Sequence, residues 1–482
     1  MSAKDNKLKL FVENMLVYGL GSIMSKLIPL LMTFLFTYLL KRETFGVSDN
    51  THTVQSFGAA LAGLGMYDAM YRLFFERDDA KYKKEICSTT MAFTGVTSII
   101  VVILMVIFKN PLAWAAFKNY DYSYLIYIAA AATLVTATNN IISAPTRMQN
   151  KRKVFLITNT VTPIISYSIS IPLILKGHAL IAMPLAAFVA GFIMEIAFGV
   201  MNHSWFSLKF VKKEHLKPLL TIAIPLMPNF LIYWVFKSCD KYMIVHLIDQ
   251  DANGLYSVSA RLGQCSQIIY QAFSNGWQFF AFSTMKEKNQ VKNNSLVFEY
   301  LGGIAFVATA AVCAVMRYIF LLMGKDYREG YIPAAYLFLA PLLLMLFQVA
   351  CNQFIVIKKT WPNLLILSSG AIVNVVLNWV LIPIIGIEGA AVATLAGYVI
   401  SDIIVCIVLI KMKLMELTPR FYIMTLAFAA YFIGWRFLLV DRKLIAIPVA
   451  LLFTAIVAAL YRDDLKILVD KIKNRKKKAE NV

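Results

Sequence analysis

Residues 362–411 read PNLLILSSGAIVNVVLNWVLIPIIGIEGAAVATLAGYVISDIIVCIVLIK. Two apolar runs, 362–385 and 388–411, are parted only at Gly386, and the whole stretch carries three charges, Glu388, Asp402 and Lys411. A bilayer core takes about 20 apolar residues per helix, so each run crosses it once and the pair is a membrane hairpin. Upstream, the same reading places spans near 14–40, 48–72, 86–108, 122–146, 154–175, 179–201, 217–246, 254–282, 296–323 and 331–356. Downstream it places two more, near 419–438 and 444–461. The expected fold class is an all-α polytopic membrane protein of about 14 helices. The second and eighth spans are the richest in polar residues. The first apolar segment, Met15 to Leu40, is long enough to stay in the membrane and lacks the cleavage pattern of a signal peptide.

Composition agrees. The 482-residue chain is 59% hydrophobic and 15% charged, with a mean hydropathy of +0.67, whereas a soluble domain carries roughly 25% charged residues. The net charge of +20 is sorted along the chain. With the N-terminus inside, the inner loops 73–85, 147–153, 202–216, 283–295, 357–361 and 412–420 hold 18 Lys and Arg and the tail eight more, and the outer loops are much poorer. That is the positive-inside pattern, and it puts both termini in the cytoplasm. The basic tail, 462–482, reads as a topology anchor in contact with anionic lipid headgroups, so nucleic acid is not needed to explain it. Cys87, Cys239, Cys265, Cys313, Cys351 and Cys406 form no CxxC and read as free thiols. There is no GxxxxGK[ST] loop, no HExxH and no Cys/His set at metal spacing, and no loop is long enough for a catalytic domain. The expectation is a protein that is not an enzyme and needs neither cofactor nor metal.

Landmarks recur at an offset of about 210 residues: Gly46 with Gly254, Pro172 and Gly177 with Pro383 and Gly386, and Lys151-Arg152-Lys153 with Lys358-Lys359. Parallel repeats of this kind place a transport path between two bundles. The expected domains are an N-lobe (1–205, helices 1–6), a C-lobe (216–412, helices 7–12), helices 13–14 (413–461) and the tail.

Polar residues inside the spans fall in stripes. The eighth span has Ser257, Arg261, Gln264, Gln271 and Asn275 on one helical face. The seventh has Asn229, Tyr233, Lys237 and Lys241, each four apart, with Asp240 beside them; the first has Asn14, Tyr18, Ser22 and Lys26. The second adds Asp49, His52, Gln55 and Ser56. A cation at the bilayer centre costs at least ~2.5 kcal/mol on insertion scales, so Lys26, Lys237 and Arg261 are expected to face a water-filled cavity. Single Gln and Ser residues also serve as interhelical hydrogen-bond partners. Lys241 and Asp240 read as neighbours near the outer interface, either pairing there or lining the cavity. Asp68 and Arg72 are expected to pair with each other, and Arg317 to reach the outer interface. Glu195 and Asp402, in apolar helices, are candidate ion-coupling carboxylates or structural ion-pair partners. The candidate substrate-binding residues are Lys26, Lys237, Arg261, Gln264, Gln271, Asn275, Asn229 and Gln55.

Two segments carry a resemblance. Residues 374–398, NVVLNWVLIPIIGIEGAAVATLAGY, and 240–262, DKYMIVHLIDQDANGLYSVSARL, resemble the polysaccharide-transporter (Wzx-type) flippases. ETFGV (43–47) followed by GMYDAMYRLFFE (65–76) is similar to that family's second span. The resemblance implies membership of the multidrug/oligosaccharidyl-lipid/polysaccharide exporter superfamily, with two six-helix lobes around a central cavity that opens alternately to each side. It further implies an undecaprenyl-diphosphate-linked oligosaccharide as substrate, moved to the outer leaflet of the bacterial inner membrane for cell-surface polysaccharide assembly. Partners would be that lipid-linked glycan, anionic lipids and other polysaccharide-assembly membrane proteins. Competing readings are a lipid II flippase, a multidrug antiporter (which would want buried carboxylates), a polytopic glycan polymerase or ligase, and a scaffold of a synthesis complex.

Overall fold

A computed structural model of the chain describes residues 26–149, 151–271, 273, 289–357, 359, 361–442, 445–464 and 466. Among these there are helices and no strands. The helices are α1 (Lys26–Leu39, the described part), α2 (Arg42–Gly63), α3 (Met66–Phe74), α4 (Ala80–Ile107), α5 (Lys109–Phe117), α6 (Ser123–Met148), α7 (Arg152–Leu175) and α8 (Ala179–Asn202). They continue with α9 (Lys213–Leu247), α10 (Gln250–Gly263), α11 (Gln290–Leu321), α12 (Tyr331–Val356), α13 (Trp361–Ile385), α14 (Ile387–Lys411), α15 (Pro419–Gly434) and α16 (Ala446–Leu460). Among the described residues, ten stretches are long and apolar enough to cross a membrane, and α1 and α16 are shorter apolar helices. The two polar spans correspond to α2–α3 and to α10 with the short helical turn Gln264–Ser266 at its end. Among the described residues the sequence-derived spans map onto helices, and the beginning of the first span and the end of the eighth lie outside them.

The second span is two helices, because Leu64 (φ 46°) and Gly65 (φ 73°) are both left-handed and end α2. Gly65 is needed there twice over: a Cβ would also meet the Ala223 carbonyl of α9 at 2.9 Å. One element was not anticipated. Helix α5 follows α4 almost without a break and lies between the third and fourth spans.

The sequence repeat divides the helices into a first bundle, α1–α8, and a second, α9–α14, with α1 packed against both through Phe36 on Tyr167 and Tyr38 OH donating to the Leu322 carbonyl. The 35-residue α9 joins them: Leu219 and Ala223 pack with Met66, Met70 and Phe74 of the first bundle, while Phe236 and Ile244 belong to the core of the second. The linker before α9 is strapped to the start of α4. Ser88 Oγ accepts from Ser207 N at 3.1 Å, Thr89 Oγ1 accepts from Lys212 N at 3.0 Å, and His215 Nε2 lies 3.0 Å from Glu85 Oε2. The last two helices pack on the second bundle through buried polar anchors. Glu299, fully buried on α11, accepts from the Thr418 backbone N–H at 2.7 Å and its hydroxyl at 2.8 Å. Arg436 makes a two-pronged pair with Glu388 of α14, and Phe306 stacks on Phe428 at 4.3 Å.

The bundles meet tightly at the end that the cation asymmetry assigns to the outer face. There α2 and α10 cross at Gly46 and Gly254, the two positions that the repeat pairs. A Cβ on Gly46 would meet the Gln250 carbonyl at 2.6 Å, and one on Gly254 would fall on the Arg42 carbonyl. Asn253 Nδ2 donates to the Gly46 carbonyl at 3.2 Å, Lys118 Nζ to the His246 carbonyl at 3.0 Å, and Tyr327 OH to the Leu40 carbonyl at 3.0 Å. Arg42 sits between Asp251 (3.5 Å) and Glu329 (3.6 Å). Small residues let backbones approach where no hydrophobic force separates helix from lipid. Gly254→Ala is therefore expected to destabilise the closed outer end by about 1–3 kcal/mol through overpacking. Gly95→Ala, with nothing within 4 Å of the new Cβ, is expected to be neutral or mildly stabilising. Thermal unfolding in detergent, followed by tryptophan fluorescence, checks the contrast.

Candidate functional site

Asp49 lies two turns into α2, facing α9 and α10. Its side chain is 8% exposed and holds two cations from the other bundle: Lys241 Nζ at 2.5 Å and Arg261 Nη2 at 2.9 Å. Ser257 Oγ, one turn before Arg261, donates to the same carboxylate at 2.9 Å. Arg261 also lies over the Phe45 ring, 4.6 Å from its centroid. Lys237 is one helical turn from Lys241 and shares its face. It has no hydrogen-bond or ion-pair partner among the described residues, and it lies within electrostatic range of Asp49, Lys241 and Lys26. Lys26 of α1 donates to Gln267 beyond α10. Lys241 and Arg261 are thus paired to one carboxylate, Lys237 lies within its electrostatic range, and Lys26 lies beside Lys237.

Open space accompanies them. His52 and Lys237 are exposed although side chains of both bundles surround them. His52, Gln55, Ser48 and Arg261 line a cavity of about 170 Å³ with Tyr167 of α7. Such a cavity can supply water to cations that lipid could not solvate.

Several expectations are met and others corrected. Lys26, Lys237, Arg261 and Gln55 come together, with Gln55 Nε2 also donating to Thr136 Oγ1 at 2.8 Å inside its own bundle. Gln264, Gln271 and Asn229 are partly buried and make no side-chain hydrogen bond among the described residues. Asn275 lies outside the described residues, as do Asn14, Tyr18 and Ser22. The neighbour pair Lys241–Asp240 does not form, because adjacent residues on a helix point about 100° apart. Lys241 turns to Asp49 instead, and Asp240 turns into the second bundle. There it accepts from Tyr256 OH (2.5 Å), Thr394 Oγ1 (2.6 Å) and Asn378 Nδ2 (2.8 Å), which tie α9 to α10, α13 and α14. Asp68 and Arg72 are both exposed and not paired. Arg317 does reach an interhelical loop, 3.1 Å from Asp441.

The candidate coupling carboxylates stand apart from the cation cluster. Glu195 of α8 accepts from Thr138 Oγ1 at 2.5 Å. Both oxygens of Asp402 are buried without a partner. As for metals, ligand atoms of Glu85, Glu214 and His215 lie within 4.8 Å of one another at the linker, an arrangement that the Glu85–His215 hydrogen bond already accounts for. All six cysteines are free. The central role of Asp49 is the feature that sequence reading missed. The available signal was one carboxylate in a stripe facing stripes that otherwise carried cations.

The sequence model of the polysaccharide biosynthesis protein family matches residues 35–329, more than half of the chain. The chain belongs to that family. Among solved structures, a lipid II flippase, MurJ, in an inward closed conformation is similar with a TM-score of 0.73 and 14% identity, covering 93% of this chain and 100% of that one. An inward-facing multidrug resistance MATE family transporter of the MOP superfamily has a TM-score of 0.64 and 12% identity, over 83% of this chain and 94% of that one. A MATE transporter of Vibrio cholerae gives 0.58 and 12%, over 84% and 97%. At these identities the likeness establishes the fold, a polytopic membrane architecture of two helix bundles. No curated protein matches the sequence.

The Asp49 triad makes a quantitative expectation. Removing one partner of a buried ion pair costs about 3–5 kcal/mol because the other charge is left buried. Asp49→Ala and Lys241→Ala should each destabilise the protein. Their double mutant should fall short of additivity by about 0.5–3 kcal/mol, measured as a thermodynamic cycle on unfolding in detergent.

Proposed function

We propose that this family member is a flippase that carries an undecaprenyl-diphosphate-linked oligosaccharide from the cytoplasmic to the outer leaflet of the bacterial inner membrane, for assembly of a cell-surface polysaccharide. The observation that carries the reading is the excess of positive charge between the bundles: Lys241 and Arg261 are paired to Asp49, Lys237 lies within its electrostatic range, and Lys26 lies beside Lys237 with no carboxylate bonded to it among the described residues. A diphosphate presents several anionic oxygens that guanidinium and ammonium groups match, in the place of its lost hydration. The family, whose members are described as polysaccharide biosynthesis proteins, supplies the glycan, and the fold supplies two bundles that can rock about a central site.

In this mechanism the outer end is latched while the cavity is empty. Asp49 is then the counter-charge for Lys241 and Arg261. An arriving diphosphate, drawn first by the uncompensated Lys237 and Lys26, competes for the same two cations. Once it holds them, α2 loses its polar tie to α9 and α10, and the outer end is free to open. The ligand shifts the equilibrium only by its differential affinity for the two states, and its grip on cations that Asp49 occupies in one of them is such a difference. The chemistry is binding and release, with no bond made or broken. Asp240 holds α9 in place, and Glu195 or Asp402 serves as the coupling group if an ion drives the return.

A lipid II flippase is the second reading, favoured by the structural likeness. A multidrug cation antiporter fits poorly, because a cation would meet four like charges and one carboxylate already engaged. In cells deleted for this chain, lipid-linked surface glycan should accumulate on the cytoplasmic leaflet, and the wild type should reverse it. Lys237→Ala, which breaks no pair, should fail to reverse it at normal membrane abundance. Normal export without the chain would remove the reading, and accumulation of lipid II instead would favour the second one.

A further inference from the structure

A larger cavity, about 420 Å³, lies within the first bundle between α6, α7 and α8. Helix α7 packs along α8 and stands off α6, which leaves a groove running from Phe155 to Tyr167, about 18 Å at the helical rise. Its volume is within the range of small-molecule sites, about 300–1,000 Å³. The mechanism above does not use it.

The walls of this groove have a distinct chemistry. Asn139 and Asn140 project from α6, and Asn159 and Thr158 from α7. The Asn139 Oδ1 is buried without a partner. The side chains of Asn140, exposed where it lines the groove, and Asn159, partly buried, make no hydrogen bond among the described residues either. Pro163, in the same wall, has no N–H to give to the Asn159 carbonyl, so α7 presents a freed main-chain acceptor beside the Asn159 amide. Each amide offers two donors and an acceptor. Unpaired amides inside a membrane bundle are costly unless a polar ligand or water satisfies them. An acyl chain would leave them unsatisfied, and among the described residues the charge that lines the groove, Arg147, stands at its rim against the Tyr67 and Phe155 rings, away from the asparagines that an anion would have to meet. A neutral molecule dense in hydroxyls fits both conditions.

Position completes the case. Ser166, Tyr167 and Ala187 form part of this groove and also of the cavity that holds His52 and Arg261. The two spaces adjoin at the Tyr167 ring.

We propose that the α6–α7–α8 groove is a glycan subsite, in which Asn139, Asn140 and Asn159 hydrogen-bond sugar hydroxyls of the substrate while Tyr167 offers its ring to the first sugar. The proposal rests on the flippase reading, since it assumes a diphosphate at the cation cluster with its sugars directed past Tyr167. It makes the groove the part of the protein that selects among glycans, whereas the cation cluster reads the headgroup that all such lipids share.

The test uses the full chain in lipid nanodiscs and two probes: undecaprenyl diphosphate without sugar, and the undecaprenyl-diphosphate-linked glycan extracted from cells deleted for this chain. Wild type should bind the glycan-bearing lipid at least about tenfold more tightly, equivalent to the loss of one or two hydrogen bonds. The double variant Asn140→Leu/Asn159→Leu, similar in size and favourable to helix, should lose that advantage and hold bare undecaprenyl diphosphate within about twofold. Lys237→Ala should weaken both probes alike. Retention of the glycan advantage by the asparagine variant would overturn the subsite, as would an equal loss for both probes. Failure of Lys237→Ala to weaken either probe would instead overturn the diphosphate reading. A wild type that binds neither lipid would overturn both.

Discussion

The structure turns on one carboxylate held by two cations. Asp49 comes from the first bundle, and Lys241 and Arg261 from the second, so the pair exists only while α2 lies against α9 and α10. Desolvating three charges in a membrane protein is expensive, and their attraction offsets that cost only when geometry is good and further hydrogen bonds are made. Ser257 supplies one such bond, and the Phe45 ring faces the guanidinium. The interaction is therefore weak evidence for stability as such. Its physical content is conditional: it ties two bodies together and can be exchanged for another anion.

The rest of the outer seal follows from the same contact. The ion pair needs α2 and α10 in backbone contact, and only glycine at positions 46 and 254 permits it. Arg42, Lys118, Asn253 and Tyr327 then close the rim with hydrogen bonds to carbonyls and acids of the opposite bundle. Among the described residues, Lys26 and Lys237 have no carboxylate bonded to them. In the proposed mechanism this excess of positive charge draws the anion, and the same anion competes for the cations that Asp49 holds. Binding and opening are, in that proposal, properties of one cluster.

Much of this was legible in the sequence because a bilayer leaves few choices. Apolar runs of about 20 residues must be helices, and every span read from the sequence has a helix in the structure. The glycines that mark the repeat also mark the crossing point. Stripes of polar residues at helical spacing pointed to Lys26, Lys237 and Arg261, and the structure places Lys237 beside Lys26 and within range of the Asp49 that Arg261 holds. Sequence spacing could not say which stripe faces which. Lys241 and Asp240 are adjacent in the chain and so read as a pair, yet they lie on different faces of α9 and serve different bundles. Asp68 and Arg72 have the spacing of an ion pair and are both exposed, where a pair gains little. The Glu388–Arg436 and Glu299–Thr418 anchors join helices far apart in sequence and leave no local pattern. The α6–α7–α8 groove was invisible for the same reason, since scattered asparagines become a wall only after the helices have packed.

The most direct test is the distance across the outer end. Spin labels at positions 120 and 326, on loops at the end that the cation asymmetry assigns to the outer face, would be placed in a background lacking the six native cysteines and measured by pulsed EPR in nanodiscs. The account predicts one short distance for the empty protein, and a shift to a longer one on adding undecaprenyl diphosphate. It predicts the longer distance for Asp49→Asn without any ligand. A wild-type distance that does not respond to saturating ligand, or an Asp49→Asn protein that stays closed when empty, would contradict the claim that this carboxylate holds the gate and the diphosphate releases it.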